Sequence, residues 1–141
     1  MLTTQRINSF QKQLLIKAIS EYLQTHMQDI AFAYLFGSFL QDSAFSDIDI
    51  GVFISGHIES PLDFELELES ELENISKYQV DVRILNHAPL PFVQNVIKTG
   101  RVLFDHDPNL RADFEGLTLK KYFDFSRFRR HYLHEVINAP I

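Results

Sequence analysis

The spacing of apolar and polar residues changes several times along the chain, and each change predicts a different element. Apolar residues recur at helical intervals from Phe10 to Tyr22, which predicts a first helix over about residues 4–27. A continuous apolar run then predicts a buried strand, and alternation after a turn-rich stretch predicts a half-buried one. These stretches are a strand over 30–36, a turn over 41–46 and a strand over 47–54.

Residues 61–75 fit two patterns at once. Alternate residues from Leu62 to Leu68 are apolar, as in a strand, yet apolar positions also continue at helical spacing as far as Ile75. Ser60 and Pro61 are typical of the N-cap and the first position of a helix. We therefore predict a helix here, with an acidic outer face.

The rest of the chain predicts two more strands and two more helical regions. They are a strand over 79–85, a helix over 90–99 that ends at Gly100, a strand over 101–104, and a helical region over 108–137 in which Gly116 permits a break. This order indicates an α/β or α+β fold, with a small mixed β-sheet of about four strands flanked by helices. We expect residues 1–141 to form one domain.

Aromatic residues are concentrated in the last part of that domain. They are too many for one face of a helix, and three arginines stand among them. Residues 108–141 are therefore expected to form a C-terminal helical region that could contact a partner, although a packed helix explains the aromatics equally simply. The residues are Phe114, Tyr122, Phe123, Phe125, Phe128 and Tyr132, with Arg127, Arg129 and Arg130.

Composition and charge argue against several kinds of function. A net charge of −6 argues against direct nucleic-acid binding, which needs a basic surface. The absence of cysteine excludes disulfides and thiolate metal sites. No signal peptide or bilayer-spanning apolar stretch is read, so we expect no membrane association and a cytoplasmic protein. No Lys or Arg occurs between Lys17 and Lys77, which leaves that stretch acidic or neutral.

Two aspartates stand one residue apart in an otherwise apolar strand. Asp47 and Asp49 should point to the same side, with Ile48 and Ile50 on the other. Two adjacent carboxylates repel each other unless a cation lies between them, and oxygen ligands suit Mg²⁺ bound together with substrate phosphates. The simpler alternative is an edge strand with one wet face.

Two further features could belong to the same site. Gly37 and Ser38 end the preceding strand, where free backbone N–H groups and a hydroxyl can hold a phosphate; an ordinary turn is the alternative. Asp81 is flanked by apolar residues in a later strand and would converge on the first pair if the strands are neighbours. The alternative for Asp81 is a salt bridge to Arg83 on the same face.

The string Gly37-Ser38, eight residues, Asp47-Ile48-Asp49 and a later strand Asp81 resembles the DNA polymerase β-like nucleotidyltransferase superfamily. The small size resembles the minimal nucleotidyltransferases (MNT), the antitoxins of HEPN–MNT toxin–antitoxin pairs. The resemblance implies that Gly37 and Ser38 hold the triphosphate of ATP. It also implies that Asp47 and Asp49 bind Mg²⁺, and that Asp81 completes the metal site and acts as base.

The resemblance further implies transfer of AMP from ATP to a tyrosine of a cognate HEPN ribonuclease toxin, which is thereby silenced. Many family members have a longer spacer with an Arg-Gly pair, whereas the spacer here has eight residues and no basic one. Arg83, Lys98 and Arg101 are candidates to neutralise the phosphates instead. Two alternatives follow: a weak or inactive MNT protein that neutralises its partner by binding alone, or a nucleotidyltransferase that acts on a small-molecule hydroxyl.

Overall fold

The computed structural model describes residues 4–41 and 44–138, which form five helices and six strands. The helices are α1 (Ser9–His26), α2 (Ser38–Gln41), α3 (Pro61–Ser76), α4 (Leu90–Thr99) and α5 (Pro108–Asn138), and the strands are β1 (Gln5–Arg6), β2 (Ile30–Phe36), β3 (Ala44–Phe45), β4 (Ile48–Ile54), β5 (Val80–Ile84) and β6 (Arg101–Asp105).

The predicted mixed sheet is confirmed, with four strands in the order β5-β4-β2-β6. β2 runs antiparallel to both β4 and β6, whereas β4 and β5 run parallel. The parallel pair is joined through α3, which packs against β5. The end of β2 and the beginnings of β4 and β5 therefore meet at one end of the sheet.

Each face of the sheet buries its own apolar cluster because β4 alternates strictly. Ile48 and Ile50 point toward α1 and α3, where they pack with Leu72 among others. On the opposite face, Phe32 and Val96 belong to a second cluster beneath α4 and α5. The acidic residue between the two isoleucines of β4 consequently points away from the larger core.

The ambiguous segment over 61–75 is helical, as predicted. The Ser60 hydroxyl caps α3 by accepting a hydrogen bond from the Asp63 N–H at 3.3 Å, and Pro61 occupies the first turn. The predicted acidic outer face is only partly present. The carboxylates of Glu65 and Glu69 turn toward the sheet and accept hydrogen bonds from β5.

Three features differ from the sequence prediction by more than a residue or two at the end of an element. α1 begins at Ser9, because Asn8 and Gln11 form a reciprocal capping box with bonds of 2.8 and 3.0 Å. The predicted turn over 41–46 contains β3, which pairs with β1 in a small second sheet. Residues 42 and 43 of the predicted turn lie outside the described residues. α5 continues through Gly116 without the break that glycine permits.

Polar contacts attach the first half of α5 to the sheet. Arg111 donates to Asp105 at 2.5 Å and to Glu115 at 2.8 Å, and Glu115 in turn accepts from the Tyr34 hydroxyl at 2.6 Å. Phe114 packs against two phenylalanine rings of the sheet. None of the helices within residues 4–41 and 44–138 is both long and apolar enough to cross a membrane.

Candidate active site

Gly37 lies where β2 ends, directly against the acidic residue of the neighbouring strand. Phe36 is paired with Asp49 across the β2–β4 ladder, and Gly37 then turns the chain with a φ of 80°. A Cβ at this position would collide with the Asp49 carboxylate, whose Cγ would lie only 3.0 Å away. Glycine is therefore needed here both for its backbone conformation and for its lack of a side chain.

Ser38 follows immediately as the first residue of α2 and is half-buried. The backbone N–H groups of Leu40 and Gln41 both bond back to the Gly37 carbonyl at 3.2 Å, which closes the short helix. Gly37 and Ser38 thus lie beside the acidic end of the sheet, as the sequence predicted. Their role in holding a triphosphate stays a prediction.

Three carboxylates converge at this end of the sheet. Asp49 and Asp81 are direct partners in the parallel β4–β5 ladder, and Asp47 stands just before the first residue of β4. One oxygen from each of the three residues lies within 4.8 Å of the others, and all three side chains are half-buried. The structure therefore brings together the three acids that the sequence singled out.

Clustering makes the middle carboxylate hard to ionise. Partial burial, followed by repulsion from Asp47 and Asp81, raises the pKa of Asp49 to about 7, and Arg83 opposes the shift. Near neutral pH, Asp49 therefore exchanges readily between its protonated and charged forms. A bound cation would favour the charged form, because it replaces repulsion by attraction.

The donor set fits a hard divalent cation. Carboxylate oxygens are the usual ligands of Mg²⁺, and oxygens about 2.1 Å from a common ion lie at most about 4.2 Å apart. The observed spread of up to 4.8 Å needs only small side-chain rotations to reach that geometry. Asp47, Asp49 and Asp81 would hold such an ion.

A fourth carboxylate lies beside Asp81, and sequence reasoning missed it. Glu69 of α3 accepts a hydrogen bond from the Val82 backbone N–H at 2.8 Å and also contacts the Asp81 side chain. Partial burial raises the pKa of Glu69, and the Val82 N–H opposes the shift. Glu65 accepts from the Ile84 N–H at 2.9 Å in the same way. Both acids thus accept hydrogen bonds from backbone N–H groups at the edge of β5, which has no strand neighbour on that side.

The candidate cations are placed unequally. Arg83 Nε lies 3.8 Å from Asp81 Oδ1, so the alternative salt bridge exists, but it is exposed and weak, and it does not remove Asp81 from the cluster. The Arg83 guanidinium also lies over the Phe92 ring, 5.9 Å from its centroid. Among the described residues, no ion pair joins Lys98 or Arg101 to the three acids.

A lysine distant in sequence also reaches this end of the molecule. Lys12 of α1 donates to the Phe39 carbonyl in α2 at 2.6 Å and lies over the rings of Phe39 and Phe45. Sequence reasoning considered only cations near the motif or after it, and no local pattern announces a contact across 27 residues. Lys12 brings positive charge to the helix that Ser38 begins.

The arrangement of strand end, glycine turn and three acids has a counterpart among known proteins. The family described as "Polymerase beta, Nucleotidyltransferase" matches residues 17–109, which include all of these positions. The chain belongs to this nucleotidyltransferase family. No curated protein matches the chain.

Solved structures of toxin–antitoxin complexes share the fold. A chain from the complex of tri-AMPylated Shewanella oneidensis HEPN toxin with MNT antitoxin is 25% identical, with a TM-score of 0.69, over 89% of this chain and 98% of that one. A toxin–antitoxin structure with AMP-PNP gives 24% identity and a TM-score of 0.71, over 86% and 98%. The MntA–HepT complex gives 24% and 0.68, over 89% and 98%.

Proposed function

We propose that this chain is an antitoxin that transfers AMP from ATP to a tyrosine hydroxyl of a cognate HEPN ribonuclease toxin and so neutralises it. The observation that carries the proposal is the convergence of Asp47, Asp49 and Asp81 beside the Gly37 turn. Support for the acceptor comes from the similar chains found in HEPN–MNT complexes, one of which contains AMPylated toxin. We propose Mg²⁺ as the metal because all three ligands are carboxylates.

Each part of the site has a task in this reaction. The turn at Gly37 and Ser38 orients the triphosphate, and the hydroxyl oxygen of the acceptor attacks the α-phosphorus. The bond from the α-phosphorus to the bridging oxygen breaks, pyrophosphate leaves, and Asp81 takes the hydroxyl proton. Bound Mg²⁺ supplies charge neutralisation, which together with positioning is most of what phosphoryl-type transfer needs.

Asp81 is suited to the base role by its position. Its side chain is 42% exposed, so an acceptor can reach it, whereas Asp49 is enclosed between Asp81 and the Gly37 turn. Glu69 restrains Asp81 from behind through β5. Because Glu65 and Glu69 occupy the edge of β5, the acceptor would approach Asp81 from the exposed side of that residue.

Labelled ATP tests the proposal directly. The chain and its cognate HEPN protein are expressed separately, purified, and incubated together with ATP labelled at the α-phosphate and with Mg²⁺. We expect label on a tyrosine of the partner, and none with Asp47→Asn or Asp49→Asn. An unlabelled partner would refute transfer to protein.

The alternative of neutralisation by binding alone has one observation in its favour. The spacer between Ser38 and Asp47 contains no Lys or Arg to balance the phosphates. Under that alternative, a folded Asp47→Asn/Asp49→Asn variant would still protect cells from the partner. Loss of protection by this variant, with complex formation intact, would instead support transfer.

A further inference from the structure

The two halves of α5 differ in what covers them. The helix has 31 residues and is roughly 46 Å long. Other elements cover only part of this length. Its first half packs against α4 and β2 through one face, which carries Leu110, Phe114 and the buried Thr118. Beyond Lys121, which lines a cavity with the loop before α4, exposed side chains predominate.

The packed face of α5 continues as an apolar stripe into the second half. At 100° per residue, the side chains of this stripe lie within an arc of roughly 80° that also contains Leu110, Phe114 and Thr118. They remain between 46% exposed at Phe125 and 69% exposed at Phe128. We call this set the distal stripe: Phe125, Phe128, Tyr132 and Val136.

The distal stripe has the spacing of a docking helix. Its members stand at i, i+3, i+7 and i+11, which is how an amphipathic helix presents anchors to an apolar groove. The rings of Phe128 and Tyr132 are stacked one turn apart, with centroids separated by 6.4 Å. Aromatic side chains of this kind dominate the binding energy of interfaces.

The charge around the stripe indicates which partner it suits. Residues 120–138 contain five Lys or Arg and two acids, a net charge of +3, whereas the whole chain carries −6. Two copies paired through this helix would bring like charges together, which disfavours that arrangement. An apolar groove on the partner would bury the stripe, and acidic residues around that groove would pair with the basic residues beside the stripe.

We propose that the second half of α5 is a docking helix whose distal stripe enters an apolar, acid-rimmed groove on the partner protein. This inference rests on the proposed function for the identity of that partner, the cognate HEPN toxin. The helix thus determines which protein is modified, while the acids perform the transfer.

Paired substitutions on opposite faces of the helix test the proposal in the full chain. Phe128→Ala/Tyr132→Ala removes two stripe anchors, and Phe123→Ala/Ile137→Ala removes two apolar residues from the other side that are at least as exposed on average. Affinity for the cognate HEPN protein is measured by titration. We expect about 100-fold weaker binding for the stripe variant and less than about threefold for the control.

Two readouts separate this proposal from the proposed function. The stripe variant should keep its melting temperature and its affinity for Mn²⁺, which serves as a probe of the proposed Mg²⁺ site. Its AMP transfer should show a raised KM for the partner and an unchanged kcat. Asp49→Asn should show the reverse, a tight complex without transfer. If no transfer occurs at all, weakened binding of the stripe variant still supports docking, because binding is measured independently.

Three outcomes would overturn the docking proposal. One is wild-type affinity in the stripe variant, and another is equal weakening in the control variant. The third is a different occupant, which two measurements would reveal. Light scattering would show a dimer of the wild-type chain that the stripe variant abolishes, or RNA gel shifts would show binding lost with Arg127→Glu/Arg130→Glu but not with the stripe variant.

Discussion

The acidic end of the sheet and the second half of α5 depart from ordinary protein structure in opposite directions. At the sheet end, three carboxylates are half-buried and close together, although charges usually stay in water or pair with opposite charges. Along α5, aromatic side chains stay in water although they usually pack inside. The first arrangement calls for a cation, and the second calls for an apolar surface.

The two regions also differ in how firmly they are held. Asp49 and Asp81 stand on paired strands, Gly37 lies against Asp49, and Glu69 contacts Asp81, so neighbouring elements surround the acids. The second half of α5 is mostly exposed to solvent and extends from a packed first half that supplies the helical nucleus. Substitutions should therefore change chemistry at the first region and recognition at the second.

The largest effect is expected for Asp49→Asn. The amide cannot replace the central carboxylate as a cation ligand, so AMP transfer should fall by at least about 100-fold. Stability without metal should not fall, because repulsion from Asp47 and Asp81 is relieved. Labelling rates and melting in EDTA check both parts, with the exposed Glu67→Gln as control. A large drop in melting temperature would contradict the repulsion argument.

Gly37→Ala should be the next most damaging change. The new methyl group would meet the Asp49 carboxylate, and alanine would be strained at a φ of 80°. We expect a loss of about 1–3 kcal/mol in the free energy of unfolding, together with weaker Mn²⁺ binding. Urea denaturation and metal titration measure the two effects. Unchanged metal affinity would mean that Asp49 can move aside without consequence.

A smaller effect should appear in the pH dependence of stability. The pKa of Asp49 is about 7 in the folded chain and 3.8 without structure, so the folded state binds more protons between these values. Metal-free stability should therefore fall as pH rises from about 4 to about 7, on the order of 1 kcal/mol after solvent screening. The difference between the wild-type chain and Asp49→Asn isolates this contribution in pH-dependent melting.

Saturating Mg²⁺ should flatten that difference, because the cation stabilises the ionised form. A wild-type curve that rises with pH relative to Asp49→Asn in EDTA would show that the acids do not repel each other as described. The measurement thus tests whether Asp47 and Asp81 repel the Asp49 carboxylate and whether a bound cation removes that repulsion.

The smallest effect is expected for Gly116→Ala, and it should have the opposite sign. A Cβ at Gly116 has open space within 4 Å, and alanine favours a helix interior over glycine. We expect a gain of up to about 1 kcal/mol in the free energy of unfolding, with AMP transfer unchanged. Urea denaturation beside Gly37→Ala gives a matched pair. A loss of stability would show that α5 needs flexibility at this position.

Much of the fold, and the choice of the three acids that cluster, followed from local patterns. Alternation in β4 placed Asp49 opposite Ile48 and Ile50, and Ser60 and Pro61 identified the start of α3. The residues that hold the site in place were not predictable in this way. The contact of Lys12 with α2 spans 27 residues, and the bond of Glu69 to β5 joins two elements whose relative position no local pattern gives.

The sequence by itself determined the elements and the chemistry that one end of the sheet could carry. Period-2 and helical spacing dictate which side of a strand or helix is apolar, whatever lies beside it. Only the tertiary structure decided that Asp81 is the partner of Asp49, that Glu69 contacts Asp81, and that the apolar face of α5 is packed in its first half and exposed in its second. Proximity and burial depend on strand order and element length together, so they arise only when the chain has folded.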